Sequence, residues 1–319
     1  MKRSFRYLLL PALLTLGCSK VPDGYITNNL VYRTPEMLVN PGATFVSQIP
    51  DLNGSSRPVK FSLLRVKDNK GQETDLLTKD AKVSIWQKPY DFTVDTTVAL
   101  LMAKRKDSTM ATIKVNPVSG EIVMTEASRF LPALSTYTLD IGMENPAGKQ
   151  EYKDIVKIKI SDVLYRKQEC YANILQDNPA IPGPPSAYGV QAGFQMKHTP
   201  HNNPPYRITL MICDESGKPF NPNTEIRKRT PGLPSLTEFA PFSKLPNTDS
   251  SMVFEVPFTP FPFGFSRNGN YISYYQVPAK FIKFKNYTDN NYFANIAIGF
   301  QWLADGDWTL KVLLPGAVK

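Results

Sequence analysis

Residues 111–125, ATIKVNPVSGEIVMT, constrain this chain more than any other stretch. Apolar and polar side chains alternate through 111–115, which gives an extended strand one apolar face and denies a helix any continuous stripe. Asn116-Pro117-Val118-Ser119-Gly120 then carries turn chemistry, and 121–125 returns as a second strand, so the segment reads as a hairpin. The pattern recurs on both sides. Residues 59–66 (VKFSLLRV) read as a half-buried strand, followed by a turn at Asp68-Asn69-Lys70-Gly71. Tyr137, Leu139, Ile141 and Met143 share one face, Asn145-Pro146-Ala147-Gly148 turns, and Ile158 and Ile160 close a second pair. Short strands with a turn about every ten residues predict an antiparallel, immunoglobulin-like β-sandwich over 36–162. Residues 98–106 (VALLMAKRK) fit either a strand or a short helix.

The second half is β-rich with longer loops. Strands are expected at 206–213, 252–256 and 271–277, and at 292–302 and 308–314 around Ala304-Asp305-Gly306-Asp307, whose Asp-Gly core marks a hairpin. Residues 178–189 hold four prolines and two glycines, which excludes helix and central strand and suits an interdomain connector or a long ordered loop. The boundary is placed upstream, near Asp162, with 163–319 as a second β-rich domain. No internal repeat relates the halves. The expected fold is mainly β, two tandem β-sandwich domains.

The N-terminus predicts destination. Lys2, Arg3 and Arg6 precede an apolar run at 7–16, closed by Thr15-Leu16-Gly17-Cys18. This reads as a signal peptide over 1–17 ending in a lipobox, with lipid on Cys18 and a tether over 18–35. The run is about half of the roughly 20 residues needed to span a bilayer as a helix. Thr15 stands where a lipobox prefers Leu, and Leu14 lies one place early. The expectation is a protein held in the cell envelope, at the outer membrane, through lipid on Cys18. Ser19, Lys20 and a lone Asp23 after the cysteine leave the membrane face open.

Losing residues 1–17 removes three basic and no acidic residues, which lowers the net charge from +9 to +6. Nucleic acid is no expected partner outside the cytoplasm. Lys104-Arg105-Lys106 and Arg227-Lys228-Arg229 read as solvated strand ends or loops, the alternative being a contact for anionic headgroups, lipopolysaccharide or acidic glycan. Cys170 and Cys213 either pair in an oxidising compartment or stay as buried free thiols.

Gly24-Tyr25-Ile26, Tyr32-Arg33, 54–59 (GSSRPV), 95–100 (DTTVAL), 116–120 (NPVSG), Pro219-Phe220-Asn221-Pro222 and Pro260-Phe261-Pro262-Phe263 resemble a family of uncharacterised Bacteroidota lipoproteins, known by its domain of unknown function 5007. The resemblance runs over nearly the whole mature chain. It implies a cell-envelope lipoprotein of a lineage in which such proteins often accompany polysaccharide uptake of the starch-utilisation type. It carries over no catalytic residue.

No constellation for catalysis stands out, and no enzyme, cofactor or metal site is expected. Pro200 bars the helical geometry that would aim His198 and His201 at one ion, so both read as solvent-exposed. Residues 264–269 (GFSRNG) approach a nucleophile elbow, but the second glycine comes one residue late. Asp305 and Asp307 could offer oxygens to calcium but read as turn residues. The strongest binding-like feature is aromatic: Phe254, Phe258, Phe261, Phe263, Phe265, Tyr271, Tyr274 and Tyr275, interleaved with Pro257, Pro260 and Pro262. Flat rings present apolar faces to sugar C–H groups, whereas Phe261, Phe263 and Phe265 also suit packing along an edge strand. The ligand-binding candidates are Tyr271, Tyr274, Tyr275, Trp302 and Trp308. Two functions are therefore carried forward: a non-catalytic lipoprotein that binds glycan or assists an outer-membrane uptake complex, and a structural or protein-interaction lipoprotein without a glycan ligand.

Overall fold

A computed structural model of the protein describes residues 24–229, 232–264, 269–287 and 291–319. The predicted signal peptide, Cys18 and residues 265–268 of the elbow-like segment lie outside the described residues. No helix among the described residues is long and apolar enough to cross a membrane. The fold is mainly β and divides into two compact units, one of residues 24–83 and 109–162, the other of 84–108 and 163–319.

The first unit is a two-sheet sandwich. One sheet runs in the order β1 (Glu36–Val39), β9 (Gly148–Ile160), β8 (Thr136–Asn145), β3 (Lys60–Lys67), with β1 parallel to β9 and the other pairs antiparallel. The other runs β2 (Phe45–Val46), β7 (Ile122–Met124), β6 (Ile113–Val115). Alternate side chains of both sheets, among them Phe61, Ile122, Met124, Leu139, Ile141 and Ile158, meet in one core. The chain crosses between the sheets from β1 to β2, from β2 to β3 and from β7 to β8, while β6–β7 and β8–β9 pair within a sheet. Gly148, at φ +137°, opens β9 after the tight β8–β9 turn.

Register slips on both sides of β8 to admit a charge. The pairing shifts between Leu63 and Arg65 on β3 and between Leu139 and Ile141 on β8, leaving Asp140 at the irregularity. Its solvent-inaccessible carboxylate accepts from Arg65 Nε at 2.7 Å, Lys67 Nζ at 3.0 Å and the Asp154 backbone N–H at 2.8 Å. Burial pushes the Asp140 pKa up, but these donors outweigh it and hold the carboxyl below its ordinary value.

Between β3 and β6 the chain makes an excursion: β4 (Asp80–Trp86), a short helix α1 (Val98–Met102) and β5 (Arg105–Ala111). The ambiguous stretch is thus helix and then strand. Thr97 caps α1, its hydroxyl accepting from Leu100 N–H. Sequence placed all of 36–162 in one domain, yet residues 84–108 belong to the second unit. Rings hold them there: Trp86 lies 5.7 Å from Phe258, Tyr90 lies 5.7 Å from Phe263, and the Tyr90 hydroxyl donates to Phe239 O. The Arg105 guanidinium sits 3.6 Å from the Phe258 ring centroid and 5.1 Å from that of Trp86. Within the cluster Lys104-Arg105-Lys106, only Lys106 is a plainly solvated charge, because Lys104 pairs with the buried Asp95 at 2.7 Å.

In the second unit, β10 (Tyr165–Gln176), β11 (Ala187–Gln191), β12 (Gly193–Thr199), β13 (Tyr206–Cys213), β14 (Arg227–Lys228), β15 (Met252–Val256), β16 (Ile272–Val277), β17 (Lys283–Phe284), β18 (Tyr292–Trp302), β19 (Asp307–Leu313) and β20 (Ala317–Val318) follow in order. A five-stranded sheet, β11-β10-β18-β16-β14, faces a four-stranded sheet, β12-β19-β13-β15, across a core that includes Ile208, Phe254, Phe261, Ile296 and Val312. β17 and β20 form a separate pair. The proline-rich stretch is a loop inside this unit, from β10 to β11, with Asn178 and Asn291 bonding its start. Cys170 and Cys213 are free thiols on different sheets, and burial pushes each up to about 11.

Candidate functional site

Four of the five predicted binding rings are core. Trp302 and Trp308 are 1% and 2% exposed. Trp302 stacks on Phe261 at 5.9 Å, and the Trp308 indole N–H donates to Ala304 O at 3.1 Å. Tyr271 and Tyr275 are also buried, and the Tyr275 hydroxyl accepts from Leu236 N–H at 3.0 Å, which opens the four-residue helix α2 (Leu236–Phe239). A ring with no open face cannot stack on a ligand. These four assignments are corrected: their strands turn them inward, with the apolar sets of β16, β18 and β19. Of the rings in the proline-rich aromatic stretch, Phe254 and Phe261 are core, while Phe258 and Phe263 contact Trp86 and Tyr90.

Tyr274 alone points the other way. On β16 the core takes Tyr275 and Val277, so Tyr274 and Gln276 lie on the outer face of the five-stranded sheet. Tyr274 pairs with Ala297 of β18, and Ala297 pairs with Tyr171 of β10. Directly opposed residues share a face, so Tyr171, Ala297 and Tyr274 form one row, the rings two strand spacings or roughly 9.5 Å apart at their backbones. Both rings are half-buried, and Ala297 between them is fully buried. Burial raises the Tyr274 pKa, Tyr171 and Glu169 raise it further, and Arg229, 5.6 Å from its ring centroid, opposes them.

The next row is amide. Asn173, Asn295 and Gln276 pair in register across β10, β18 and β16. Gln276 Nε2 donates to Asn295 Oδ1 at 2.8 Å, Gln276 Oε1 accepts from Arg227 Nε, and Asn173 Oδ1 accepts from Gly189 N–H at 2.7 Å. Tyr188, next to Gly189, is 73% exposed. Half-buried Tyr171, Asn173 and Tyr274 together put ring faces and an amide on the outer face of this sheet, while Gln276 and Asn295 beneath them are buried and bonded to each other. Sequence missed Tyr171, Asn173 and Tyr188, although 170–174 (CYANI) alternates Cys170, Ala172 and Ile174 against Tyr171 and Asn173.

The remaining polar candidates serve the fold. His198 and His201 are not solvated loop residues. The His198 ring stacks on Trp308 at 4.1 Å and its Nε2 lies 2.9 Å from Asp305 O, while His201 Nε2 lies 3.1 Å from Asp307 Oδ1. Asp307 also accepts from Arg207 N–H, and Asp305 from the Thr259 hydroxyl. Gly306, at φ +126°, lies so close to Thr199 that a Cβ would overlap its carbonyl. Among the described residues no group of three or more His, Cys, Asp or Glu is placed to hold a metal ion. A groove of about 310 Å³ beside β3 is lined by Glu73 and Asp75, both from one segment, so neither faces another carboxylate across it.

No family model matches this chain, and no curated protein matches it. Among solved structures it is similar to a SusE-like surface-located polysaccharide-binding protein from the heparin utilisation locus of Bacteroides thetaiotaomicron, at 8% identity and a TM-score of 0.26. The match covers 90% of this chain, which spans 54% of the length of that one. A superposition this loose carries no inference about ligand or mechanism.

Proposed function

We propose that this protein is a non-catalytic, lipid-anchored cell-envelope protein of the outer membrane that binds glycan on the outer face of its five-stranded sheet. The observation that carries the reading is the row Tyr171–Ala297–Tyr274 beside the amide row Asn173–Asn295–Gln276. The rings take the apolar faces of sugar rings and Asn173, the half-buried member of the amide row, takes a hydroxyl, while the buried Gln276 and Asn295 hold the row in place. Strand pairing fixes the spacing before any ligand arrives, so little ordering remains to oppose binding. Lipid on Cys18 would hold this surface at the membrane, where an uptake complex could receive what it captures.

The test is a polysaccharide array probed with the soluble chain beginning at Ser19, beside a Tyr171→Ala/Tyr274→Ala variant. The expected result is binding to at least one glycan, at least tenfold weaker in the variant, with an unchanged melting temperature because both rings lie outside the core. Binding to no glycan, or equal binding by the variant, overturns the reading.

A protein-interaction role is favoured by a different observation. Val94, Val98, Leu100 and Met102, on and beside α1, are 57%, 44%, 46% and 44% exposed. Four exposed apolar side chains within nine residues are the feature that a contact surface would use.

A further inference from the structure

We infer that the glycan is acidic, and that its carboxylate or sulfate groups seat on Arg227 and Arg229. This deepens the glycan reading and rests on it. β14 borders β16 at the edge of the five-stranded sheet, and Arg227 stands opposite Gln276, in line with the amide row. Arg229 lies over Tyr274, in line with the aromatic row. Each row therefore ends in a guanidinium.

Among the described residues no carboxylate pairs with Arg227 or Arg229, whereas Lys228 between them pairs with Glu238. Elsewhere in the same unit, Lys285 pairs with Glu215, Lys319 with Glu225 and Lys104 with Asp95. Glu169 on β10 lies three strand spacings, roughly 14 Å, from the backbone of Arg227 on β14, and acts with Arg229 on Tyr274 without pairing with either arginine. Arg227 is also oriented: its Nε donates to Gln276, which Asn295 holds in turn, and both amides are buried to 8% and 6% exposure. That contact uses one N–H and leaves the terminal nitrogens for an incoming anion. A planar fork held this way matches carboxylate or sulfate oxygens two at a time. A neutral sugar offers these donors only hydroxyl oxygens, whereas an anion adds charge to the same hydrogen bonds.

The experiment is affinity electrophoresis against matched polymers: dextran beside dextran sulfate, and galactan beside polygalacturonate. The expected result is retardation by at least one acidic polymer at least tenfold stronger than by its neutral counterpart, weakening as salt rises from about 0.05 to about 0.5 M. The sulfate and carboxylate arms tell which anion is preferred. Arg227→Gln/Arg229→Gln should lose at least tenfold for the acidic polymer and keep any neutral binding, while Lys280→Gln/Lys283→Gln, which removes equal charge elsewhere, should change nothing. Equal retardation by neutral polymers, or an arginine variant that binds the acid like the parent, overturns the acidic preference. In either case a persisting loss in Tyr171→Ala/Tyr274→Ala leaves the glycan reading standing. Equal losses in the lysine and arginine variants would show general charge attraction and overturn the inference. Acid binding that survives Tyr171→Ala/Tyr274→Ala overturns the glycan reading of this face itself.

Discussion

Tyr274 and Tyr275 are neighbours in sequence, and a strand sends them to opposite faces, so equal chemistry meets unequal surroundings. Tyr275 is core, and its hydroxyl satisfies the otherwise orphaned Leu236 N–H at the start of α2. Tyr275→Phe should therefore cost about 1–3 kcal/mol of stability, the penalty for a buried donor without an acceptor, and leave glycan binding unchanged. A denaturant midpoint beside a binding titration checks both halves. Parity along the strands made part of this legible in advance. In 308–312 (WTLKV), Trp308 shares its side with Leu310 and Val312, which already marks it as core. Parity was less useful in β16, where ISYYQV offers Tyr on both sides and only the partner strands decide. Tyr171 obeys the same rule in 170–174 (CYANI), but the prolines of 178–189 just downstream obscure the strand in which it sits.

Turn chemistry located most hairpins, since Asn-Pro-Val-Ser-Gly, Asn-Pro-Ala-Gly and Asp-Gly demand local backbone that few other structures supply. The excursion through β4, α1 and β5 has no such local signature. Its place is set by rings far off in sequence, Phe258 and Phe263, against Trp86, Tyr90 and Arg105. Trp86→Ala removes two ring pairs and one of the two faces against Arg105, contacts worth about 0.5–1.5 kcal/mol apiece. The expected outcome is a several-fold faster cut between residues 91 and 103 in limited proteolysis, with slower loss of the rest of the chain. Equal cleavage rates would mean that Tyr90 and its bond to Phe239 hold the segment unaided.

Over the whole molecule, each unit has its own hydrophobic core, and each keeps carboxylates below their ordinary pKa, Asp140 in the first and Asp214 and Asp307 in the second. A depressed folded-state pKa adds stability that is full above the unfolded value of about 3.9 and is lost as pH falls through the folded value. Both units should thus weaken below about pH 4. Asp140→Asn should cost at least about 2 kcal/mol at neutral pH by leaving Arg65 and Lys67 without their acceptor, and should flatten the acid dependence of the first unit alone. Unfolding midpoints across a pH series, with glycan binding as the reporter of the second unit, separate the two. The division of labour between cores has a counterpart in time. Tyr90 and its acceptor Phe239 are 149 positions apart, so a ribosome or export channel delivering the chain from its N-terminus releases residues 84–108 long before their berth exists. The first sandwich must close around a gap in its own chain and hold an aromatic loop in waiting, and a chain begun at residue 163 would be born with Phe258 and Phe263 lacking Trp86, Tyr90 and Arg105.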